Sequence, residues 1–520
     1  MSSHPSSGSD KVRIRDKLVY GAAGPVDIWA TWVPLTMAYQ VFNMALGLSP
    51  ALISFSFAVF RLYDAMIDPI MGWISDNTRT RWGRRRPYVV VGAVLTGVTF
   101  PLIWLVQPGW SPFAMTVWLI VAGIVFFTFS TIWNMPYQSM LLEMTGDYNE
   151  RTSVTSFRAV FQNLASVISS WVWAITQLPF FLDQSTGKQD TLSGIRAVAV
   201  VMGLLIIVLG VLPGLLLKER HYAKVEGNKK EKLLQSLKLT LRSKPFLLIL
   251  AFAVLSSFGA ITLSFGPYIT TFHVCGGDQG RASVITGMAG TIGLAFAIAS
   301  LPLFNLLSRR IGKTRTLGVC VFLQIVGSAG SYWLYTPDFP SLVIAQKTLI
   351  YIANAGLWVM LPSMVADTVD FDELATGERR EGSFASIFSW ILKVSMTLGL
   401  ALSGPFLEWS GFHIDLGANQ PEEVMTRMRL GFAIAPTLLL VVAGAVLFFY
   451  KLGPARMAEI RAELEQRRGA FYLCLLFLPV LSNFGQTLLP PDSTNSPPDP
   501  LTGFTRTTRE PRKTATRLGR

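Results

Sequence analysis

Cysteine is nearly absent from this 520-residue chain: Cys275, Cys320 and Cys474 fall in three separate segments. They support neither a disulfide framework nor a zinc site, because no two stand at metal-ligand spacing. Histidine is as sparse, and His4, His221, His273 and His413 are scattered. No nucleophile elbow, phosphate loop or metal-binding helix motif occurs, so an enzyme reading has no residues to rest on and no cofactor is expected. Charge is scarce too, at 15% of residues, with 45 basic against 32 acidic side chains. The excess of +13 does not point to nucleic acid, because the basic residues lie in alternate loops and form no continuous patch.

What the chain has in abundance is apolar sequence, 51% of residues, with a mean hydropathy of +0.43. A bilayer-spanning helix needs about 20 apolar residues. Twelve candidate spans satisfy this, near 24–46, 51–75, 88–107, 112–140, 154–181, 194–218, 245–273, 282–307, 316–335, 340–364, 383–409 and 427–451. Lys11 to Lys17, Arg79 to Arg86, the central stretch from Lys218 to Lys244 and Arg309 to Arg315 are basic, whereas Gly47 to Pro50, Gln107 to Pro112 and Thr336 to Pro340 are not. The positive-inside rule then places both termini in the cytoplasm of a plasma (inner) membrane protein. Residues 1–23 are Ser-rich and basic without an apolar centre, so no cleaved signal peptide is expected.

The central polar loop, 219–244, separates an N-terminal bundle, 24–218, from a C-terminal one, 245–451. Two similar six-helix halves are implied, and the short basic connections DNTRTRWGRRRP and SRRIGKTR echo one another across them. Leu233 to Leu241 has the pattern of a helix lying on the membrane surface. Residues 452–520 read as a cytoplasmic tail, largely disordered beyond about Pro490. Within it, Phe471 to Leu481 is apolar but spans about half a bilayer.

Charges inside the spans carry the functional signal. A charged residue at the bilayer centre costs about 2.5 to 3.5 kcal/mol on insertion scales. Arg61, Asp64 and Asp68 nevertheless share the second span, and a spacing of three then four places them on one helix face. That face is expected to look into a polar cavity. Arg61 can neutralise one carboxylate in a purely structural pair; the other is then free to hold a proton or a cation. The fourth span repeats the spacing with neutral groups, Thr131, Asn134 and Gln138, which either hydrogen-bond between helices or line the same cavity. Arg158 in the fifth span and Lys393 in the eleventh add two cations. Lys393 has no acidic neighbour within a turn, so Asp64 or Asp68 is its expected partner. Trp133, Trp358 and Trp390 are candidates for stacking on a sugar ring. Beyond the tenth span, Asp367, Asp370 and Glu373 are expected to bridge to Arg309 or Arg310 and close a cytoplasmic gate.

Three runs, RLYDAMIDPIMGWISDNTRTRWGRRRP, MPYQSMLLEMTGDYNERTSVTSFR and MVADTVDFDELATGERREGSFASIFSWILK, resemble the glycoside–pentoside–hexuronide:cation symporters, the family of the melibiose permease, with likeness from about Lys17 to Lys451. The resemblance implies an all-α membrane protein with the major facilitator fold, twelve transmembrane helices in two halves around a central cavity. It implies symport of a sugar or glycoside with Na⁺, Li⁺ or H⁺ by alternating access. The family's cation-site residues match Asp64, Asp68 and Thr131. Its solute-site residues match Arg158, Trp358 and Lys393. Three positions depart from the family pattern: Ile67 replaces an asparagine, and Asn134 and Gln138 replace an aspartate and a tryptophan. A fourth is the helix I aspartate position, which holds Ile28, with Asp27 adjacent but about 100° around the helix. The expected reading is an H⁺- or Na⁺-coupled symporter for a sugar, glycoside or hexuronide, acting as a monomer. Asp64, Asp68 and Thr131 would hold the ion, and Asp27, Asn134, Gln138, Arg158, Trp358 and Lys393 the solute. The alternative is a lysophospholipid symporter of the same superfamily.

Overall fold

The computed structural model describes residues 11–145, 148–182, 189–217, 240–262, 264–377 and 380–467. The surface helix expected at Leu233 to Leu241 falls largely outside them, and the apolar stretch from Phe471, Cys474 and the tail beyond Pro490 fall entirely outside. The chain divides into a unit spanning Met1–Arg461 and another spanning Ala462–Arg520, and the architecture that follows is that of the first.

Its first half comprises α1 (Ile14–Ala22), α2 (Gly24–Ala38), α3 (Pro50–Asn77), α4 (Arg86–Thr99), α5 (Pro112–Met144), α6 (Tyr148–Thr176) and α7 (Thr191–Leu216). The second comprises α8 (Lys244–Ser257), α9 (Phe265–Tyr268), α10 (Gln279–Ile311), α11 (Lys313–Leu334), α12 (Leu342–Thr376), α13 (Glu381–Trp409) and α14 (Glu422–Phe448). A further helix, α15, covers residues 454–467. Helix starts follow local chemistry. Pro50 and Pro112 occupy first-turn positions where a missing N–H is harmless. Asp190 and Asp278 accept from the N–H groups of Ser193 and Arg281 and so cap α7 and α10.

Eleven helices among the described residues are long and apolar enough to cross a membrane. The twelfth expected span, the first in the chain, is interrupted: α2 ends at Ala38 and continues as a π-helix, Tyr39–Ala45. The seventh span ends the same way, in the π-helix Ile269–Val274. Both wide turns close on glycine in the left-handed region, Gly47 at φ 74° and Gly277 at φ 92°. The same local irregularity at corresponding places supports two related halves more strongly than the basic loops do.

Within the first half α4 packs on α5 and α7, and α2 on α6; within the second α12 packs on α10 and α11, and α11 on α14. The halves meet where α3 runs along α13 and α6 along α10. At one end of the bundle lie α1 and the two basic connections, here the basic face. Hydrogen bonds cross between the halves towards the opposite face, as from Trp171 to Thr291 at 2.8 Å and from Tyr268 to Asn43 at 2.6 Å. The charge pairs described at the basic face each stay within one half: Lys17 with Glu150, Arg85 with Asp76, Lys313 with Asp367 and Arg380 with Asp372. Hydrogen bonds thus join the two halves towards the end opposite the basic face.

The acidic motif beyond the tenth span lies on a helix. No breaker intervenes before Gly377, whose φ of 76° ends α12, so Asp367, Asp370 and Glu373 lie on its last turns. Arg309 and Arg310 do not reach them. Both are exposed on the last turn of α10, and the turn at Gly312, φ 86°, carries Lys313 over α12 in their place. Lys313 meets Asp367 at 2.6 Å, and Arg461 of α15 meets it at 2.9 Å and Asp370 at 3.7 Å.

Because Asp278 is the cap of an interfacial helix, Asp278→Ala should lower the stability of the purified protein by about 1 kcal/mol, and Asp278→Asn by much less. Thermal unfolding of the three proteins in one detergent checks this; equal melting temperatures would contradict it.

Candidate functional site

Asp64 and Asp68 stand one turn apart on the face of α3 that meets α5 and α13. Thr131 on α5 places its hydroxyl 3.0 Å from Asp64 Oδ1 and 3.3 Å from Asp68 Oδ1. Arg61, one turn earlier, pairs with Asp64 at 3.2 Å and is held in turn against the Phe127 ring, 5.5 Å from its centroid. From the other half, Lys393 on α13 forms an ion pair with Asp68 and lies 3.8 Å from Asp64.

The two carboxylates are not equivalent. Asp64 is buried and fixed by a guanidinium on its own helix. Asp68 is met by an ammonium on a flexible four-carbon stem whose side chain is 34% exposed, and that partner belongs to the opposite half. Arg61 and Lys393 balance the charge of the two acids, and Lys393 is the more exposed of the two bases, 34% against 9%.

A second polar cluster lies beside the first. Gly24, at the start of α2, packs against α6 so tightly that an added Cβ would lie 3.0 Å from Gln162 Cγ and 3.1 Å from the Arg158 carbonyl oxygen. This approach brings Asp27, one turn further along α2, over the same face of α6. Asp27 Oδ2 accepts from Arg158 at 2.9 Å and Gln162 at 3.1 Å, and Oδ1 from Asn134 at 3.2 Å. Gln138 donates to Asn134 Oδ1 at 2.9 Å, so the row on α5 continues the network. Asp27, the neighbour of Ile28, is thus the carboxylate of this cluster.

The structure separates the candidate tryptophans. Trp133 is fully buried, donates to the Gly210 carbonyl at 3.0 Å and stacks on Tyr137; it is a packing residue and has no face left for a ring. Trp358 and Trp390 are 53% and 54% exposed. Sequence reasoning missed Gln162, although it stands four residues after Arg158 and so on the same face. It also missed Tyr137, whose ring lies 5.2 Å below the Arg158 guanidinium and stacks on Tyr20. An aromatic in a span gives no sign of whether its face is taken.

Comparison with known proteins gives the family. The profile of the family described as MFS/sugar transport protein matches residues 20–454. The chain belongs to that family. The isoprimeverose transporter of Lactiplantibacillus pentosus is 27% identical over 427 residues, covering 81% of this chain and 85% of that protein. The sodium-dependent lysophosphatidylcholine symporter 1 of Xenopus tropicalis is 22% identical over 502 residues, covering 88% and 91%. In fold, the crystal structure of a D-xylose–proton symporter superposes with a TM-score of 0.60 at 14% identity, covering 84% of this chain and 97% of the other. The chain is a multi-pass membrane protein with the major facilitator fold, and the glycoside–cation symporter resemblance read from its motifs holds.

Arg158 is largely buried, so Asp27→Ala should lower stability by about 3 kcal/mol by stranding its charge, while Gln162→Leu should cost about 1 kcal/mol. A double-mutant cycle with Arg158→Leu checks the pairing: additive losses on thermal unfolding would mean that Asp27 and Arg158 do not act together.

Proposed function

We propose that this protein is a secondary active transporter that carries a sugar, glycoside or hexuronide across the plasma membrane together with H⁺ or Na⁺, by alternating access, and that both termini are cytoplasmic. The observation that carries the reading is the seat of Lys393: an ammonium from one half lies against the Oδ2 atoms of Asp64 and Asp68, the carboxylates that a coupling cation would need. In the empty carrier this tethered charge neutralises the acids, so the unloaded protein can reorient without dragging bare carboxylates through a low-dielectric interior. Arrival of a cation displaces it. The ion then has oxygens from Asp64, Asp68 and Thr131, while the released lysine turns towards the solute.

The solute site fits a small polar molecule. Asp27, Asn134, Gln138, Arg158 and Gln162 offer planar donors and acceptors of the kind that bind sugar hydroxyls, and the exposed face of Trp358 suits the apolar face of a pyranose ring. Such lining disfavours an acyl chain, which sets the sugar reading above that of a lysolipid carrier. With the basic face cytoplasmic, the charged ends of α10 and α12 lie on the cytoplasmic side. No second subunit is needed to complete either cluster, so a monomer suffices.

Uptake by proteoliposomes under imposed pH or sodium gradients tests this. One of the two gradients should drive accumulation, and Asp68→Asn or Lys393→Ala should reduce uphill uptake at least about a hundredfold. Accumulation that ignores both gradients would remove the coupling. Inhibition of uptake by lysolipid and by none of a panel of sugars and hexuronates would replace the proposed substrate class.

A further inference from the structure

Towards the face opposite the basic one, a small set of polar contacts that the ion and solute clusters do not use joins the two halves. Helix α3 begins at Pro50 with no cap from its own segment, although the first N–H groups of a helix need acceptors. The acceptor comes from the other half: Glu408, near the end of α13, takes the Ala51 N–H at 3.2 Å and the Ser49 hydroxyl. One turn earlier on α13, Gly404 donates its N–H to Ser54 Oγ at 2.7 Å. A Cβ added at Gly404 would lie 2.0 Å from the Pro50 carbonyl oxygen and 2.5 Å from Ser54 Oγ, and the first of these is backbone that cannot swing aside. Tyr39 closes the group with its hydroxyl 2.7 Å from both Ser54 Oγ and Ser403 Oγ.

The chemistry suits a contact made to be broken. Hydroxyls, a carboxylate and backbone N–H groups re-form their hydrogen bonds with water on separation, so the net loss is about 1 kcal/mol for each bond. An apolar seal of similar extent would expose hydrocarbon whenever it opened. A carboxylate at a helix N-terminus also gains from the helix dipole only while the two halves touch.

We infer that Gly404 and Glu408 form the outer latch of the solute pathway, Gly404 setting how closely α13 approaches the start of α3 and Glu408 supplying the cap that α3 lacks. The inference rests on the alternating-access reading, but it concerns closure alone and needs neither solute nor ion.

It is tested by pulsed electron-electron resonance on the purified protein in lipid nanodiscs, with Cys275, Cys320 and Cys474 replaced by serine and spin labels at Phe113 and Phe339, exposed residues at the outer ends of the two halves. Gly404→Ala should move the distance distribution to longer values, changing the closed-to-open ratio at least about tenfold. Glu408→Ala should do so in the same direction, and Glu408→Gln, which keeps an acceptor but loses the charge, by less. Should Gly404→Ala fail to fold, Glu408→Ala carries the test. Distributions matching the unsubstituted protein in the folded variants would overturn the latch. A shift obtained in a protein that shows no coupled uptake would uphold the latch and refute the symport reading separately.

Discussion

A carboxylate in a membrane-spanning helix is tolerated only while something positive is near it, and this molecule gives its two helix-borne acids different kinds of partner. Arg61 fixes Asp64 from within α3, packed on Phe127. Lys393 reaches Asp68 across the seam from α13. The second pair joins the two halves at mid-depth, through a side chain that is 34% exposed. The Asp27 network takes part through geometry: Thr131, Asn134 and Gln138 share one face of α5, so the ion cluster and the polar cluster are two parts of a single wall.

The seam between the halves is uneven along its length. At the basic face Lys17 with Glu150 and Lys313 with Asp367 each pair within one half. At the opposite face, contacts across the seam are short, polar and shape-dependent, with Gly404 permitting a backbone approach that no other residue would. Alternating access needs both kinds of end, one that can part and one that can hold and still release.

Much of this was legible in the sequence for a definite reason. Residues on one helix have their relative directions set by the helical repeat, so the shared faces of Asp64 with Asp68 and of Thr131 with Asn134 could be read from spacing alone. Lys393 needed a partner from elsewhere simply because none stood near it in the chain. Illegible were features that depend on where a turn places the next helix. Lys313 rather than Arg309 or Arg310 meets Asp367 because Gly312 reverses the chain between them. Gln162 matters because Gly24 lets α2 come close, and the approach of Gly404 to Pro50 joins residues some 350 positions apart. The π-helical ends of the first and seventh spans leave no hydropathy signature at all.

The central claim is that a mobile cation takes the place of the Lys393 ammonium at Asp68. Infrared difference spectroscopy of the protein in lipid, switched between two pH values and between sodium and its absence, reads that carboxylate directly. The account predicts that one of the two switches produces a carboxyl band change that disappears in Asp68→Asn. Identical difference spectra from the two proteins under both switches would contradict it.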